Sequence, residues 1–283
     1  MKNTDTGQKQ KKGRFIFWIV LFTVCTLVAA VCLGFWVYHL VLRGSMNKLY
    51  NDAREVVSVS SNNGSSAALQ PLPNDLSDED SKKEWNMSVV KIDFDLLRET
   101  SKDVYAWIEI PGSKIQYPIV QHPTNNSYYL RKAINGAYDI TGCIYTQNYN
   151  STDFSDPNTV IYGHYMDDGT KFGSLLSYMD KEYFESHRDI VIYTPTEMFH
   201  YRVFAALPFD TRHIIRNYAR LENPTSAFLA DVYNSSDART IIADDITVDG
   251  ENNRIITLST CLKTGTRRYL VLAVLVNHNY KNK

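Results

Sequence analysis

Two apolar runs near the C-terminal end of the chain constrain its fold most. The first is Arg254–Cys261 and the second is Tyr269–Val276, and a short polar loop separates them. Runs of this length that are rich in β-branched and aliphatic residues predict two strands joined by a turn. Cys261 ends the first strand, and Arg268 opens the second. A thiol at a strand end beside a fixed cation is placed to ionise and react, so the pair favours a cysteine nucleophile.

The bulk composition is that of an ordinary globular chain. Its 283 residues carry a net charge of -1 and are 44% hydrophobic, and nothing in this balance indicates a nucleic-acid partner. The 19 tyrosines and the 12% aromatic content favour β structure.

Cysteine use is sparse. Cys25 and Cys32 lie in the apolar N-terminal segment, which leaves Cys143 and Cys261 in the rest of the chain. A domain held by disulfides would carry more cysteines, and no CxxC pair or His/Cys spacing indicates zinc. A Cys143–Cys261 disulfide stays open as a minor alternative. Cys143 lies in a predicted strand interior, where a cysteine is usually a small buried hydrophobe.

Residues Phe15–Leu42 are almost wholly apolar and predict a transmembrane anchor. About 20 helical residues cross the hydrocarbon core, so the run is long enough, with room for tilt. A cleaved signal peptide is the competing interpretation, but its apolar region would span roughly 7–15 residues and end at a small-residue cleavage site. The run instead continues through the aromatic residues of Phe35–Tyr38, which are typical of a membrane interface. An uncleaved anchor is therefore favoured.

Charge around the anchor predicts its orientation and the division of the chain. Basic residues are denser before the apolar run than after it, which puts the N-terminus in the cytoplasm and the bulk of the chain outside. We expect a cytoplasmic basic tail at 1–14, a single-pass transmembrane anchor at 15–42, an extracellular stalk at 43–84 and a catalytic domain at 85–283. The stalk is assigned because residues 58–80 are polar and show no periodicity.

Beyond the stalk the patterns predict mainly β structure. A closed β-barrel is favoured over a parallel α/β sheet, because the apolar runs are short and numerous and few helices separate them. The predicted strands are Val104–Ile110, Cys143–Thr146, Thr159–Tyr162, Ile190–Tyr193, Phe199–Phe209, Arg254–Cys261 and Tyr269–Asn277. The predicted helices are Phe94–Ser101 capped by Asp93, Phe172–Met179, Lys181–His187 and one that follows Asn223 with Pro224 at its first position.

A cysteine nucleophile needs a proton carrier and donors for the oxyanion. Of the seven histidines, His164 stands out because it follows an apolar strand and Gly163, so its ring projects from a strand-to-loop junction. Arg267 or Arg268 would supply a fixed cation, and neighbours in a strand point to opposite faces, so only one faces the thiol. The pattern alone does not choose between them. Lys263 is a further cation near the thiol and is expected to be solvated.

The most distinctive motif is Thr257–Cys261, with the sequence TLSTC, followed by Arg268. Four further segments belong with it, namely Val104–Val120, Asn126–Leu130, Asn158–Met166 and Gly169–Leu175. Together they resemble the sortases, the membrane-anchored cysteine transpeptidases of Gram-positive bacteria, and class B sortases in particular. The resemblance covers about residues 94 to 276, nearly the whole predicted catalytic domain.

The resemblance implies a fold and a catalytic set. His164 corresponds to the family histidine, Cys261 to the nucleophile and Arg268 to the family arginine, which leaves Arg267 pointing away. The implied fold is mainly β, an eight-stranded closed sortase-type β-barrel with N-terminal helices and a helical insertion before the catalytic strand. No cofactor and no metal are expected.

The implied reaction is transpeptidation on secreted proteins. A class B sortase cleaves a C-terminal sorting signal after threonine and joins the acyl fragment to an amino group of a peptidoglycan precursor or a pilin lysine. The expected signal is Asn-Pro-x-Thr-Asn-like or Pro-x-Thr-Gly-like. Tyr162, Ser259 and Thr260 are candidates for the substrate groove, although strand packing accounts for each equally well.

Two other classes of function stay open. A membrane-tethered cysteine protease would use the same residues for hydrolysis, and dependence of the product on an amine separates the two activities. A non-catalytic barrel that binds peptide or wall polymer predicts ordinary thiol reactivity for Cys261. An L,D-transpeptidase is disfavoured, because the Ser-His-Gly-Cys-type signature is absent around Cys261.

Overall fold

The computed structural model describes residues 17–38, 41, 51, 92–263 and 265–278. The chain divides into two compact units, Met1–Leu49 and Tyr50–Lys283. The predicted basic tail lies outside the described residues, and so does the predicted stalk except for residue 51.

In the first unit, helix α1 spans Phe17–Tyr38. Its 22 residues are apolar enough to cross a membrane, and at ~1.5 Å per residue a helix of this length covers ~33 Å, about the thickness of the hydrocarbon core. None of its apolar side chains is buried inside the protein. The helix is therefore compatible with a single-pass membrane anchor.

The second unit is mainly β, with short helices between the strands. Among the described residues, the strands are β1 Val104–Glu109, β2 Gln116–Val120, β3 Ile144–Thr146, β4 Asn158–Tyr162, β5 Asp189–Tyr193, β6 Met198–Phe209, β7 Ile241–Ile242, β8 Ile255–Cys261 and β9 Arg268–His278. The helices are α2 Phe94–Thr100, α3 Lys181–Ser186, α4 Ile214–Tyr218 and α5 Pro224–Tyr233, with 3₁₀ segments at Tyr128–Leu130 and Gly173–Met179.

Eight of these strands close into a barrel, as the sequence predicts. The order is β5-β1-β2-β3-β4-β8-β9-β6, and β6 pairs back onto β5 to complete the circle. The two-residue strand β7 adds to β6. Two neighbouring pairs, β2 with β3 and β4 with β8, are parallel. Closure leaves the eight strands without an open edge.

The strands form where the chain can bury almost every side chain. All twelve residues of β6 are buried, as are the first six of β8. Such strands face the barrel interior on one side and are covered on the other, so apolar residues predominate on both faces, although β6 also buries His200 and Arg202. The barrel core includes Trp107, Phe204 and Leu258, each at most 1% exposed.

Most predicted elements are present, with shifts of one or two residues at their ends. Asp93 caps α2, because its carboxylate accepts a hydrogen bond from the Leu96 amide at 3.0 Å. The helical insertion lies between β6 and β8 as α4 and α5, and Pro224 occupies the first turn of α5. Asn223 makes no side-chain capping bond to that helix. The predicted helix Phe172–Met179 is a 3₁₀ segment, Gly173–Met179.

Strand β2 was not predicted from the sequence. Its central Pro118 lacks an amide hydrogen, and proline normally argues against an internal strand. The structure accommodates it because β3 pairs only with Ile119 and Val120, so no neighbour requires a hydrogen bond from position 118. On the other side, Pro118 pairs with Trp107 of β1.

Candidate active site

The strand directions gather the candidate residues at one end of the barrel. β4 and β8 run parallel and side by side, and their last pair is Tyr162 with Ser259. The Gly163 amide continues this register by donating to the Ser259 carbonyl at 3.1 Å. His164 and Cys261 each lie two residues beyond that last pair. Because paired strands are ~4.8 Å apart, this register brings the segments that carry His164 and Cys261 together at the same end of the barrel.

Arg268 faces Cys261 from the other side. The two residues are direct partners in the antiparallel β8–β9 ladder, and directly opposed residues carry their side chains on the same face. The Arg268 guanidinium carbon lies 5.9 Å from the centre of the Tyr162 ring, which is cation–π geometry. The cation is thus held over the same face that carries the thiol.

Arg267 is held on the opposite side of the strand. Its Nη1 donates to Asp237 Oδ2 at 2.8 Å, and its Nη2 donates to the Pro208 carbonyl at 3.3 Å. These contacts orient Arg267 toward Asp237 and Pro208 rather than toward Cys261. Lys263 is exposed and lies 3.5 Å from the exposed Asp167 carboxylate.

The two cysteines of this unit differ in exposure. Cys261 is half-buried, and Cys143 is only 2% exposed, with its thiol donating to the Lys132 carbonyl at 3.2 Å. No disulfide joins them. Cys143 therefore fits a packing role, while Cys261 is the thiol that a substrate can reach.

His164 is held in a defined orientation. Its Nε2 donates to the Leu130 carbonyl at 2.7 Å, and its backbone carbonyl accepts from the Phe172 amide at 3.1 Å. A neutral imidazole that donates from Nε2 keeps Nδ1 as its acceptor nitrogen. The ring can then exchange a proton through Nδ1 while the bond to Leu130 keeps it in place.

Two stacked tyrosines extend the face that carries the thiol. Tyr145 of β3 and Tyr162 of β4 are partners in register, with ring centres 5.5 Å apart. Burial raises the pKa of Tyr145 to about 12, an effect reduced by the Arg268 cation and strengthened by the Cys261 thiolate. Burial raises the pKa of Tyr162 as well. Both phenols therefore stay protonated at neutral pH and offer hydroxyl groups to a ligand.

The three candidates for substrate contact, Tyr162, Ser259 and Thr260, lie on two different faces of the sheet. Tyr162 and Ser259 are register partners and share the face of Cys261. Thr260 is fully buried and, as the neighbour of Cys261 in the strand, points to the opposite face. The Ser259 hydroxyl is buried and has no hydrogen-bond partner within the described part of the chain.

Tyr145 was missed in the sequence analysis. It lies in a segment assigned as strand interior, and no feature of that segment distinguishes an active-site tyrosine from a packed one. Residues 92–263 and 265–278 contain no cluster of three or more histidine, cysteine or acidic side chains that would hold a metal ion.

A closed β-barrel that brings an accessible thiol, an oriented imidazole and a fixed guanidinium to one end defines an enzyme with a cysteine nucleophile. Comparisons with known proteins identify the family. The model of the sortase domain family matches residues 108–276. Sortase B of Listeria monocytogenes is 31% identical over 165 residues, which cover 58% of this chain and 65% of that protein. The chain thus spans just under two thirds of that relative.

Solved structures give the same result. The structure of sortase B from B. anthracis in complex with AAEK1 has a TM-score of 0.60 and 26% identity. The match covers 82% of this chain and 96% of the B. anthracis chain. The Staphylococcus aureus sortase B–substrate complex has a TM-score of 0.56 and 28% identity. The match covers 65% of this chain and 84% of the S. aureus chain. The chain therefore belongs to the sortase family, and the relatives named here are sortase B proteins.

Proposed function

We propose that this protein is a sorting transpeptidase in which Cys261 is the nucleophile, His164 the proton carrier and Arg268 the cation that binds the reacting carbonyl. The observation that carries the proposal is the register of three strands. It sets Cys261 opposite Arg268 on β9 and beside the end of β4, from which His164 projects.

The first half-reaction forms a thioester. The Cys261 thiolate attacks the carbonyl carbon of the threonine in the sorting signal, and Arg268 stabilises the negative charge that develops on the oxygen. When the carbon–nitrogen bond breaks, the protonated His164 gives its proton to the leaving amine. The threonine acyl group stays on the sulfur, and the C-terminal fragment departs.

The second half-reaction transfers the acyl group. An amine attacks the thioester carbonyl, and neutral His164 takes a proton from the attacking nitrogen. The carbon–sulfur bond then breaks, which releases the new amide and restores the thiolate beside a protonated imidazole. Protons are therefore conserved over the cycle.

The proposed donor substrate is a secreted protein with a C-terminal sorting signal, Asn-Pro-x-Thr-Asn-like or Pro-x-Thr-Gly-like. The face formed by Tyr145, Tyr162 and Ser259 supports this assignment, because these residues lie side by side on β3, β4 and β8 next to the strand end that carries the thiol. Thr260 is not part of this face, since its side chain packs on the opposite one. The proposed acceptor is an amino group of a peptidoglycan precursor or a pilin lysine.

The proposed location is the outer face of the cell membrane. Helix α1 would anchor the protein, with residues 1–14 in the cytoplasm, residues 43–84 as a stalk and residues 85–283 as the catalytic domain. The basic residues that precede α1 support this orientation. Tethering would concentrate the enzyme with substrates that are themselves held at the membrane.

Product analysis with and without an amine tests the proposal. The full-length protein in detergent is incubated with peptides carrying either signal, in the presence or absence of triglycine. We expect cleavage after threonine and an amide-linked conjugate that requires the amine. Cleavage to the free acid alone, at a rate that does not change with amine concentration, would instead indicate a protease. Cys261→Ala abolishes both products in either case, and Cys143→Ala is the matched control.

A further inference from the structure

Lys171 is an unusual residue in the loop that follows His164. Its side chain is only 4% exposed, and its backbone is left-handed, with φ at 51°. Burial of a charged side chain costs free energy, and so does a left-handed backbone at a residue other than glycine. Strained positions of this kind cluster at functional sites. Lys171 takes no part in either half-reaction proposed above, so the question is what its buried amino group holds in place.

The amino group of Lys171 holds the backbone at Gly142. Nζ donates to the Gly142 carbonyl oxygen at 2.6 Å, and it lies 5.5 Å from the centre of the Tyr117 ring. The Tyr117 hydroxyl also accepts a hydrogen bond from the Lys171 amide at 3.0 Å. Hydrogen bonds from charged donors are roughly twice as strong as those between neutral groups. The contact therefore fixes the segment at Gly142 firmly.

Gly142 in turn packs against the carbonyl group that holds His164. A Cβ atom at residue 142 would lie 2.6 Å from the carbonyl oxygens of both Leu130 and Tyr129, so the two backbone segments are in close contact. The next amide, that of Cys143, donates to the Tyr129 carbonyl at 3.0 Å. The Leu130 carbonyl accepts from His164 Nε2 at 2.7 Å. The position of the Gly142 segment therefore sets the position of the acceptor that orients the imidazole.

The same lysine is tied to the backbone of His164. Lys171 pairs with Tyr165 in an isolated antiparallel bridge. The amide of the next residue, Phe172, donates to the His164 carbonyl at 3.1 Å. Lys171 thus lies among the contacts that close the loop after His164. Its backbone fixes the chain from which the imidazole projects, and its Nζ acts on the segment that holds the far end of the ring.

We propose that Lys171 is a positioning residue for the imidazole of His164. The proposal rests on the transpeptidase function above and adds a residue that acts through Gly142 and Leu130 rather than on the substrate. His164 has to give its proton to the leaving amine in a defined direction, and a misplacement of about 1 Å is enough to slow such a step strongly. Lys171 keeps the ring in that direction and leaves the attack of the thiolate unchanged.

Two substrates with the same sorting signal separate this role from general damage to the site. One is the intact peptide, whose leaving amine needs a proton from His164. The other ends at the threonine as its thiophenyl ester, whose thiolate is a good leaving group and departs without a proton. A misplaced imidazole slows acylation by the first substrate and spares the second, whereas a loosened barrel slows both.

Four variants make the comparison. Lys171→Met removes the amino group and keeps an unbranched side chain, and Tyr117→Phe removes only the hydroxyl that accepts from the Lys171 amide. Lys114→Met is the matched control, because Lys114 is exposed and its Nζ donates to the Asp168 carbonyl of the same loop at 2.8 Å. His164→Ala shows the full effect of losing the imidazole. Full-length proteins in detergent are checked by circular dichroism, and acylation is followed in single turnovers without an amine.

We expect Lys171→Met to slow acylation by the intact peptide about tenfold, a part of what a misplaced proton donor can cost. Tyr117→Phe slows it about threefold, because it loosens the same anchor less. Both variants acylate from the thioester within about twofold of the wild-type rate, and the intact-peptide concentration for the half-maximal rate changes by no more than about twofold, since substrate binding is untouched. Lys114→Met resembles wild type with both substrates.

Equal losses with the two substrates overturn the proposal, and so does acylation by the intact peptide at the wild-type rate in folded Lys171→Met. If Lys171→Met does not fold, Tyr117→Phe decides between the same outcomes, because it keeps the ring and the buried amino group.

The two proposals fail in different ways. If His164→Ala loses as much activity with the thioester as with the intact peptide, His164 is not the proton donor and Lys171 has nothing to position. If His164→Ala is selectively slow with the intact peptide and Lys171→Met is not, the role of His164 stands and the inference about Lys171 is wrong.

Discussion

Cys261 and Arg268 lie directly opposite each other in the β8–β9 ladder, so the thiol and the guanidinium share one face of the barrel. The neighbouring Arg267 is drawn to the other face by Asp237, 2.8 Å away. We therefore propose separate tasks for the two adjacent arginines, with Arg268 at the reacting carbonyl and Arg267 in holding the strand.

Exchange of each arginine for lysine should have very different effects. Arg268→Lys keeps the charge but loses the planar fork that binds an oxygen from two nitrogens, so we expect kcat/KM to fall by about 10²-fold. Arg267→Lys is the matched control and should lower kcat/KM by no more than about threefold, since its contacts are structural. Steady-state cleavage of a signal peptide measures both. Similar losses for the two variants would contradict the assignment of Arg268.

The ring of Tyr162 should matter more than its hydroxyl. Tyr162→Phe keeps the face over which Arg268 lies and the stacking on Tyr145, whereas Tyr162→Ala removes both. We expect Tyr162→Ala to lower kcat/KM by about tenfold, the size of a partly desolvated cation–π contact. Tyr162→Phe should lose about threefold or less. If phenylalanine is as damaging as alanine, the hydroxyl rather than the ring holds the substrate.

The ion pairs of Asp237 should make stability depend on pH in a defined direction. Arg239, and then Arg267, hold the pKa of the Asp237 carboxyl well below its usual range. A carboxyl whose pKa is lower in the folded state stabilises the protein fully above the unfolded pKa of about 3.9, and this contribution is lost as pH falls below that value. The stability difference between wild type and Asp237→Asn should therefore be largest near neutral pH.

Urea unfolding at several pH values checks this prediction. The midpoints of wild type and Asp237→Asn should differ by the same amount at pH 7 and pH 5, and the difference should shrink progressively as the pH falls below about 4 toward the much lower folded-state pKa. Asp95→Asn serves as the control, with a constant difference over the same range. A gap that widens on acidification would reverse the expected sign and contradict the pairing.

Gly163 should be needed for the position of His164. A Cβ atom at this residue would lie 2.6 Å from both Ile144 Cδ1 and Phe172 Cδ2, so those side chains would have to move. We expect Gly163→Ala to destabilise the fold by roughly 1–3 kcal/mol through overpacking and to lower kcat. Thermal unfolding and signal-peptide cleavage measure the two effects. Wild-type stability and turnover would show that the strand end tolerates a shift.

The fold was largely predictable because the strongest strands are continuous apolar runs. β8 and β9 are found within a residue or two of their predicted positions, since burial on both faces leaves a sequence signal that is hard to mistake. β2 escaped prediction because it is short and contains Pro118. β2 tolerates Pro118 because β3 pairs only with Ile119 and Val120, and no local pattern in the sequence reveals this pairing.

The site was predictable in its chemistry but not in its orientation. Alternation along a strand shows that Arg267 and Arg268 face opposite ways, but the choice between them depends on Asp237, which is distant in the chain. Tyr145 joins the site only through its stacking on Tyr162 across two strands.

The most direct test of the account is to identify the residue that carries the acyl group during turnover. Wild-type and Cys143→Ala proteins are mixed with a signal peptide without an amine, quenched in acid and analysed by peptide mass spectrometry. We expect a threonine-terminated acyl fragment on Cys261 in both proteins, and its loss when triglycine is added before the quench. An acyl group on another residue, or no adduct while the peptide is still cleaved, would contradict a thioester on Cys261.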